Sequence, residues 1–250
     1  MNQTMQALLG LSLCLNAFFI SFGVWLILKR GGLPYLAMRV PLLKKLGVSI
    51  VQIASFNFPY YDHRQSQLVL LPIQSSNIVF LGDSITDEGE WAELLANSAI
   101  RNRGISSDTT IGVLDRLPNL ITPQPQKIFL MIGVNDLSNL GRSPAEIIQT
   151  YTEILIQIRA RSPQTHVFIQ SVLPINPKLF LGFVTNKNIR TLNELLQHLA
   201  DEFSHSYIDL HSQFLDANQQ LDTKYTSDGI HLNGIAYQRW ADLINPYVLS

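Results

Sequence analysis

The 250-residue sequence contains a single cysteine, Cys14, and it lies inside an apolar run. One cysteine excludes a disulfide framework and any zinc site built on paired thiolates. Charge of one sign is also missing: 18 basic residues face 19 acidic ones, for a net charge of −1. No basic field is therefore available to recognise nucleic acid. The six histidines are scattered, and no internal repeat or low-complexity segment breaks the chain. These absences leave one good-sized domain with a full core, plus an appendage.

That appendage is marked by a further absence. Residues 7–28 carry no charge, and Ser12, Asn16 and Ser21 are their only polar members besides glycine. The run is long enough to cross a bilayer as a helix. It reads as an anchor rather than a cleaved signal peptide, because nothing before it is basic and Lys29-Arg30 follows where a small-residue cleavage site would stand. Lys29, Arg30, Arg39, Lys44 and Lys45 put the C-terminal side in the cytoplasm by the positive-inside rule, although a single span leaves the opposite face open. Residues 31–46 mix these cations with apolar residues around Pro34 and Pro41, as an interfacial segment or a short packed helix would. From 47 to 76 there is no chemical signature, and Tyr60, Tyr61, His63 and Arg64 read as a linker or lead-in helix. The expected organisation is an anchor over 1–30, a juxtamembrane and lead-in segment over 31–76, and a domain over 77–250.

From Ile78 onward the chain alternates between strand-like and helix-like segments. Strands are expected at 78–81, 100–103, 127–132, 166–172 and 207–210. Helices are expected at 109–117, ending before Pro118, and at 144–161, 189–203 and 234–248. Such alternation implies an α/β fold, a five-stranded parallel sheet covered by helices on both faces. Three strands stop at glycine, in Gly82-Asp83-Ser84, Gly104 and Gly133-Val134-Asn135-Asp136, and parallel strands bring those ends to one edge. Ser84 then lies on a strand-to-helix turn, either as a helix cap or as a nucleophile. Near the C-terminus, Asp228-Gly229-Ile230-His231 sets an acid three residues before an imidazole.

Acyl transfer needs a nucleophile, a base, an acid to orient the base, and donors for the oxyanion. In this order the blocks resemble the GDSL/SGNH hydrolase superfamily over residues 78–247. The resemblance implies a three-layer flavodoxin-like fold, with Ser84 as nucleophile, His231 as general base and Asp228 as its orienting acid. It further implies an oxyanion hole made by the amides of Ser84 and Gly104 and the side chain of Asn135, with no metal or organic cofactor. Asp83 and Asp136 are expected in support, Asp83 in the turn and Asp136 holding the loop that presents Asn135. Asp108 is expected to cap the following helix.

Arg103-Gly104-Ile105-Ser106-Ser107-Asp108-Thr109-Thr110, Gly112-Val113-Leu114-Asp115-Arg116-Leu117 and Val172-Leu173-Pro174 look similar to the branch formed by the catalytic subunits of platelet-activating-factor acetylhydrolase, isoform I. Where that branch usually has glycine, this chain has Ser107. The implied activity is hydrolysis of short acyl esters of lipid or carbohydrate by a membrane-anchored serine esterase. Transfer to a sugar or lipid hydroxyl, or a silent binding role, stands as the alternative. His63, His166, His198, His205 and His211 have no partner spacing and are expected at the surface or at strand ends. Phe180, Leu181, Phe183 and Val184 form an apolar loop that either packs or lips the substrate pocket.

Overall fold

A computed structural model describes residues 59–180 and 182–249, together with Ser21 and Phe22. The expected span at 7–28 and the interfacial segment at 31–46 lie outside the described residues, those two positions apart, as does Leu181. Among the described residues no helix is long and apolar enough to cross a membrane. One compact unit spans Asn57–Ser250.

Its sheet contains β1 (Ile78–Gly82), β2 (Ile100–Gly104), β3 (Lys127–Met131), β4 (His166–Gln170) and β5 (Ser206–Ile208), in the order β2-β1-β3-β4-β5 with every pairing parallel. All five residues of β1 and of β3 are buried, which is why their sequences, Lys127 apart, are continuously apolar rather than alternating. Phe80, Phe129 and Phe168 are register partners and stack ring on ring, at 4.9 and 4.6 Å, across three strands. Two helices close over this aromatic row, α3 (Trp91–Leu94) and the terminal α8 (Gly234–Leu249). Trp91 stacks on Phe80 at 4.8 Å and meets Trp240 edge to face at 4.6 Å. Against the opposite face lie α4 (Thr110–Ile121), α6 (Pro144–Arg161) and α7 (Asn186–Glu202), with α6 packed between the other two. Short helices α2 (Ser84–Asp87) and α5 (Val134–Ser138) follow β1 and β3 at the carboxyl edge of the sheet.

The helix expected to stop before Pro118 continues to Ile121. Proline inside a helix costs about 3 kcal/mol, while burying an aliphatic side chain returns roughly 1.5–3 kcal/mol. Leu120 and Ile121 are both buried, so packing outweighs the proline. The fourth strand was expected to run to Val172 but ends at Gln170. There the side chain of Asn193 takes over the strand's partners, accepting from Val172 N at 2.8 Å and donating to Val172 O at 2.9 Å.

The segment read as linker or lead-in is a helix, α1 (Pro59–Leu70), and it is tied to the unit by polar bonds. Tyr60 Oη donates to Asp87 Oδ2 at 2.5 Å, Arg64 Nε to Asp87 Oδ1 at 3.1 Å, and Tyr61 Oη to Asp108 Oδ1 at 3.2 Å. Leu68 is its one buried apolar side chain.

Candidate active site

Glycine at 82 is required by space: a Cβ there would sit 2.2 Å from Thr86 Oγ1 and 2.3 Å from Met131 O. The chain can therefore turn directly from β1 into α2. Asp83 caps that helix, accepting from Ile85 N at 3.1 Å. Trp91 Nε1 donates to Thr86 O at 2.8 Å and braces the same turn from the core side. Burial raises the Asp83 carboxyl to about 7, against the opposing effect of the Ile85 amide.

Ser84, at the first position of α2, has its Oγ 3.0 Å from His231 Nε2. His231 Nδ1 lies 2.6 Å from Asp228 Oδ2. A carboxylate at Nδ1 holds the proton there and leaves Nε2 to accept from the Ser84 hydroxyl. The other Asp228 oxygen accepts from the amides of Ile230 at 3.0 Å and His231 at 2.9 Å. Burial alone would raise the Asp228 carboxyl, but the bonds from His231 and the two amides outweigh it and hold it below its ordinary value. The intervening Gly229 has φ +88°, and a Cβ there would meet Asn176 O at 2.6 Å. Its carbonyl accepts from Asn176 N at 2.8 Å. The loop that carries Phe180 is thereby fastened to the turn between Asp228 and His231, while Phe183 remains exposed on that loop.

Asn135 projects from α5, which opens at Gly133 with φ +130°. Its Nδ2 donates to Asp108 O at 2.9 Å, and Asn139 Nδ2 donates to Asn135 Oδ1 at 3.2 Å. The second bond fixes which end of the amide carries the protons, and one Nδ2 hydrogen remains for a ligand. Asp136 is fully buried. It accepts from Thr110 N and Oγ1 and from Arg142 Nη1, which ties the start of α4 to α5.

Gly104 differs from expectation. Its amide donates to Asn102 Oδ1 at 2.8 Å, and a Cβ would lie 2.2 Å from Asp87 N. Its glycine character serves close packing of β2 beneath α2, and its N–H is already engaged. Beyond it, Ile105 N donates to Gly82 O, Ser106 N to Asp87 Oδ2 and Asp108 N to Ile105 O. Ser107 has φ +69°, and its amide has no acceptor among the described residues. Asp108 is not the helix cap: Thr109 caps α4 through Gly112 N, while Asp108 binds Arg116 Nε at 2.8 Å. Ser107 is the residue that sequence reasoning passed over, and the signal available was a serine where the resembling branch has glycine. His211 is buried rather than on the surface.

The model of the GDSL-like lipase/acylhydrolase family matches residues 80–239. Platelet-activating factor acetylhydrolase IB subunit alpha2 of Rattus norvegicus is 26% identical over 170 residues, covering 65% of this chain and 72% of that protein. Subunit alpha1 of Bos taurus is 28% identical over 171 residues, with 64% and 69% covered. A solved structure from Streptococcus pneumonia, described as a candidate platelet activating factor, aligns with a TM-score of 0.71 at 26% identity, over 81% of this chain and 99% of that one. A GDSL-like lipase of Bacteroides thetaiotaomicron aligns at 0.66 and 21% identity, over 76% and 97%, a likeness of fold.

Proposed function

We propose that this chain, which belongs to the GDSL-like lipase/acylhydrolase family and is an ester hydrolase on that ground, works through a Ser84-His231-Asp228 acyl-enzyme. The observation that carries this reading is the unbroken relay Ser84 Oγ, His231 Nε2, His231 Nδ1, Asp228 Oδ2, with steps of 3.0 and 2.6 Å. Ser84 Oγ attacks the ester carbonyl carbon while its proton passes to His231 Nε2. The oxyanion is received by the Ser84 amide, the free hydrogen of Asn135 Nδ2 and the open amide of Ser107. The carbon–oxygen bond to the alcohol then breaks, and the alcohol leaves with the proton from Nε2. Water, deprotonated by the same nitrogen, releases the acid and restores Ser84. Asp228 stays ionised throughout and stabilises the imidazolium.

Short acyl groups, acetyl first, are the proposed substrates, on lipid or carbohydrate alcohols. The names of the relatives, acetylhydrolases, support the acetyl group, and the family's description as lipase or acylhydrolase supports lipid. Attachment to a membrane through residues 7–28 rests on the length and lack of charge of that run. The test is turnover of p-nitrophenyl esters from acetate to palmitate. Activity is expected to peak at acetate and to fall by about 10⁴ or more in Ser84→Ala. Retention of most activity in that variant refutes the mechanism, and a peak at palmitate refutes the short-chain assignment.

A further inference from the structure

Beneath α1 lies a cavity of about 150 Å³ whose lining includes Leu68, Ile73, Arg103, Ile105, Arg116 and Leu120. Two guanidinium groups in an apolar wall are unusual, because burying a charge is costly unless it is paired. Arg116 is paired: Nε meets Asp108 Oδ2 at 2.8 Å, and Nη2 reaches Gly82 O at 3.3 Å. Arg103 is not. It is 3% exposed and donates only to carbonyls, Nη1 to Asn102 O and Nη2 to Leu71 O. Among the described residues Arg103 forms no ion pair, and its charged surroundings are the cations Arg101, Arg64 and Arg116. Burial first, then those cations, push its guanidinium down to about 10.

Among the described residues each arginine also keeps one buried donor without an acceptor, Arg103 Nε and Arg116 Nη1. A buried donor left unmade costs roughly 1–3 kcal/mol, more when the group is charged. Both arginines border the same cavity. With Arg116 neutralised by Asp108, the site carries one uncompensated positive charge. That charge matches a monovalent anion rather than a phosphate dianion. Apart from Gln65 and Asn119, the remaining walls are aliphatic side chains and prolines, and suit an anion that carries an apolar tail better than a fully hydrated ion.

We propose that this cavity is a binding site for a short-chain monocarboxylate, its carboxylate accepting from Arg103 Nε and Arg116 Nη1 and its alkyl tail lying among Leu68, Ile105 and Leu120. The site is separate from the triad, and its test does not depend on turnover. Thermal unfolding of the full chain is followed while sodium propionate replaces sodium chloride at constant ionic strength. The expected result is a saturable rise in Tm, roughly 5–10 °C once propionate exceeds its dissociation constant a hundredfold. The rise is lost in Arg103→Met, which keeps the stem and removes the donor. It is also lost in Leu120→Phe, which keeps both arginines and fills the cavity. Arg103→Met is itself expected to fold, since it removes a buried unpaired charge. An equal Tm in propionate and chloride overturns the proposal, as does a rise that both variants retain.

Discussion

At the scale of single residues, the most sequence-legible part of the site is its side-chain chemistry. Ser84, Asp228 and His231 are weak signals singly and become legible through the joint order of their blocks and the resemblance it carries, and the relay brings together positions 147 residues apart. What the letters conceal is which backbone amides are left over. Gly104 draws attention as a glycine at a strand end, yet its amide is consumed by Asn102, whereas Ser107 shows only a departure from the resembling branch's glycine and keeps its amide open among the described residues. Availability of an N–H is a property of the loop's hydrogen-bond accounting and not of the residue's identity. Asn135 does carry its donor on the side chain. Asn135→Ala is expected to lower kcat by about 10²–10³ with little change in KM, measured on the ester preferred by the native chain; equal kinetics would remove Asn135 from the oxyanion hole. Asp83 gives a pH signature. Its folded carboxyl titrates at about 7 against 3.8 for the unfolded chain, so between these values the folded state binds more protons. Stability from this group therefore falls as pH rises through that window. Asp83→Asn is expected to flatten the slope of unfolding free energy between pH 4 and 7, read by denaturant titrations at several pH values.

Among the elements, β1 to β5 and α6 follow from hydrophobic run and period, and α6 spans its expected residues 144–161. The least legible element is α1. Its sequence Pro59–Leu70 is largely polar, with a single buried apolar side chain, so no stripe reveals a partner. Its attachment is instead made of bonds to Asp87 and Asp108, 23 to 47 residues downstream. Those two carboxylates flank the loop of Ser106 and Ser107, since Asp87 Oδ2 also accepts from Ser106 N. Helix α1 thus steadies the loop that offers the Ser107 amide. The pair Tyr61→Phe and Arg64→Met is expected to reduce kcat about fivefold, roughly one hydrogen bond's worth, while KM stays within twofold. A proportional rise in KM with kcat unchanged would show that the helix acts on ground-state binding instead.

For the whole molecule, parallel order β2-β1-β3-β4-β5 sets β1 and β3 side by side at the centre of the sheet. Ser84 and Asn135 follow these two strands, so the proposed nucleophile and oxyanion donor are spaced by the sheet itself. A boundary at 77 cuts away α1, whereas the compact unit begins at Asn57. A fragment of residues 57–250 is expected to unfold in one transition and to hydrolyse esters at the rate of the full chain. A fragment starting at 77 is expected to be less stable by roughly 3–5 kcal/mol, from three polar bonds and the buried Leu68. Denaturant midpoints of the two fragments decide this, and equal midpoints would detach α1 from the unit.

The bond from Trp91 Nε1 to Thr86 O has an optical consequence. Trp91 and Trp240 are both buried and in edge contact, so they share a dry environment and emit toward the blue. Trp91 is bonded to the carbonyl two residues beyond Ser84. Any loosening of the Ser84 turn would wet that indole and shift its emission to the red. The enzyme carries its own lamp behind the proposed catalytic serine, and the order of that turn can be read by fluorescence with no substrate present.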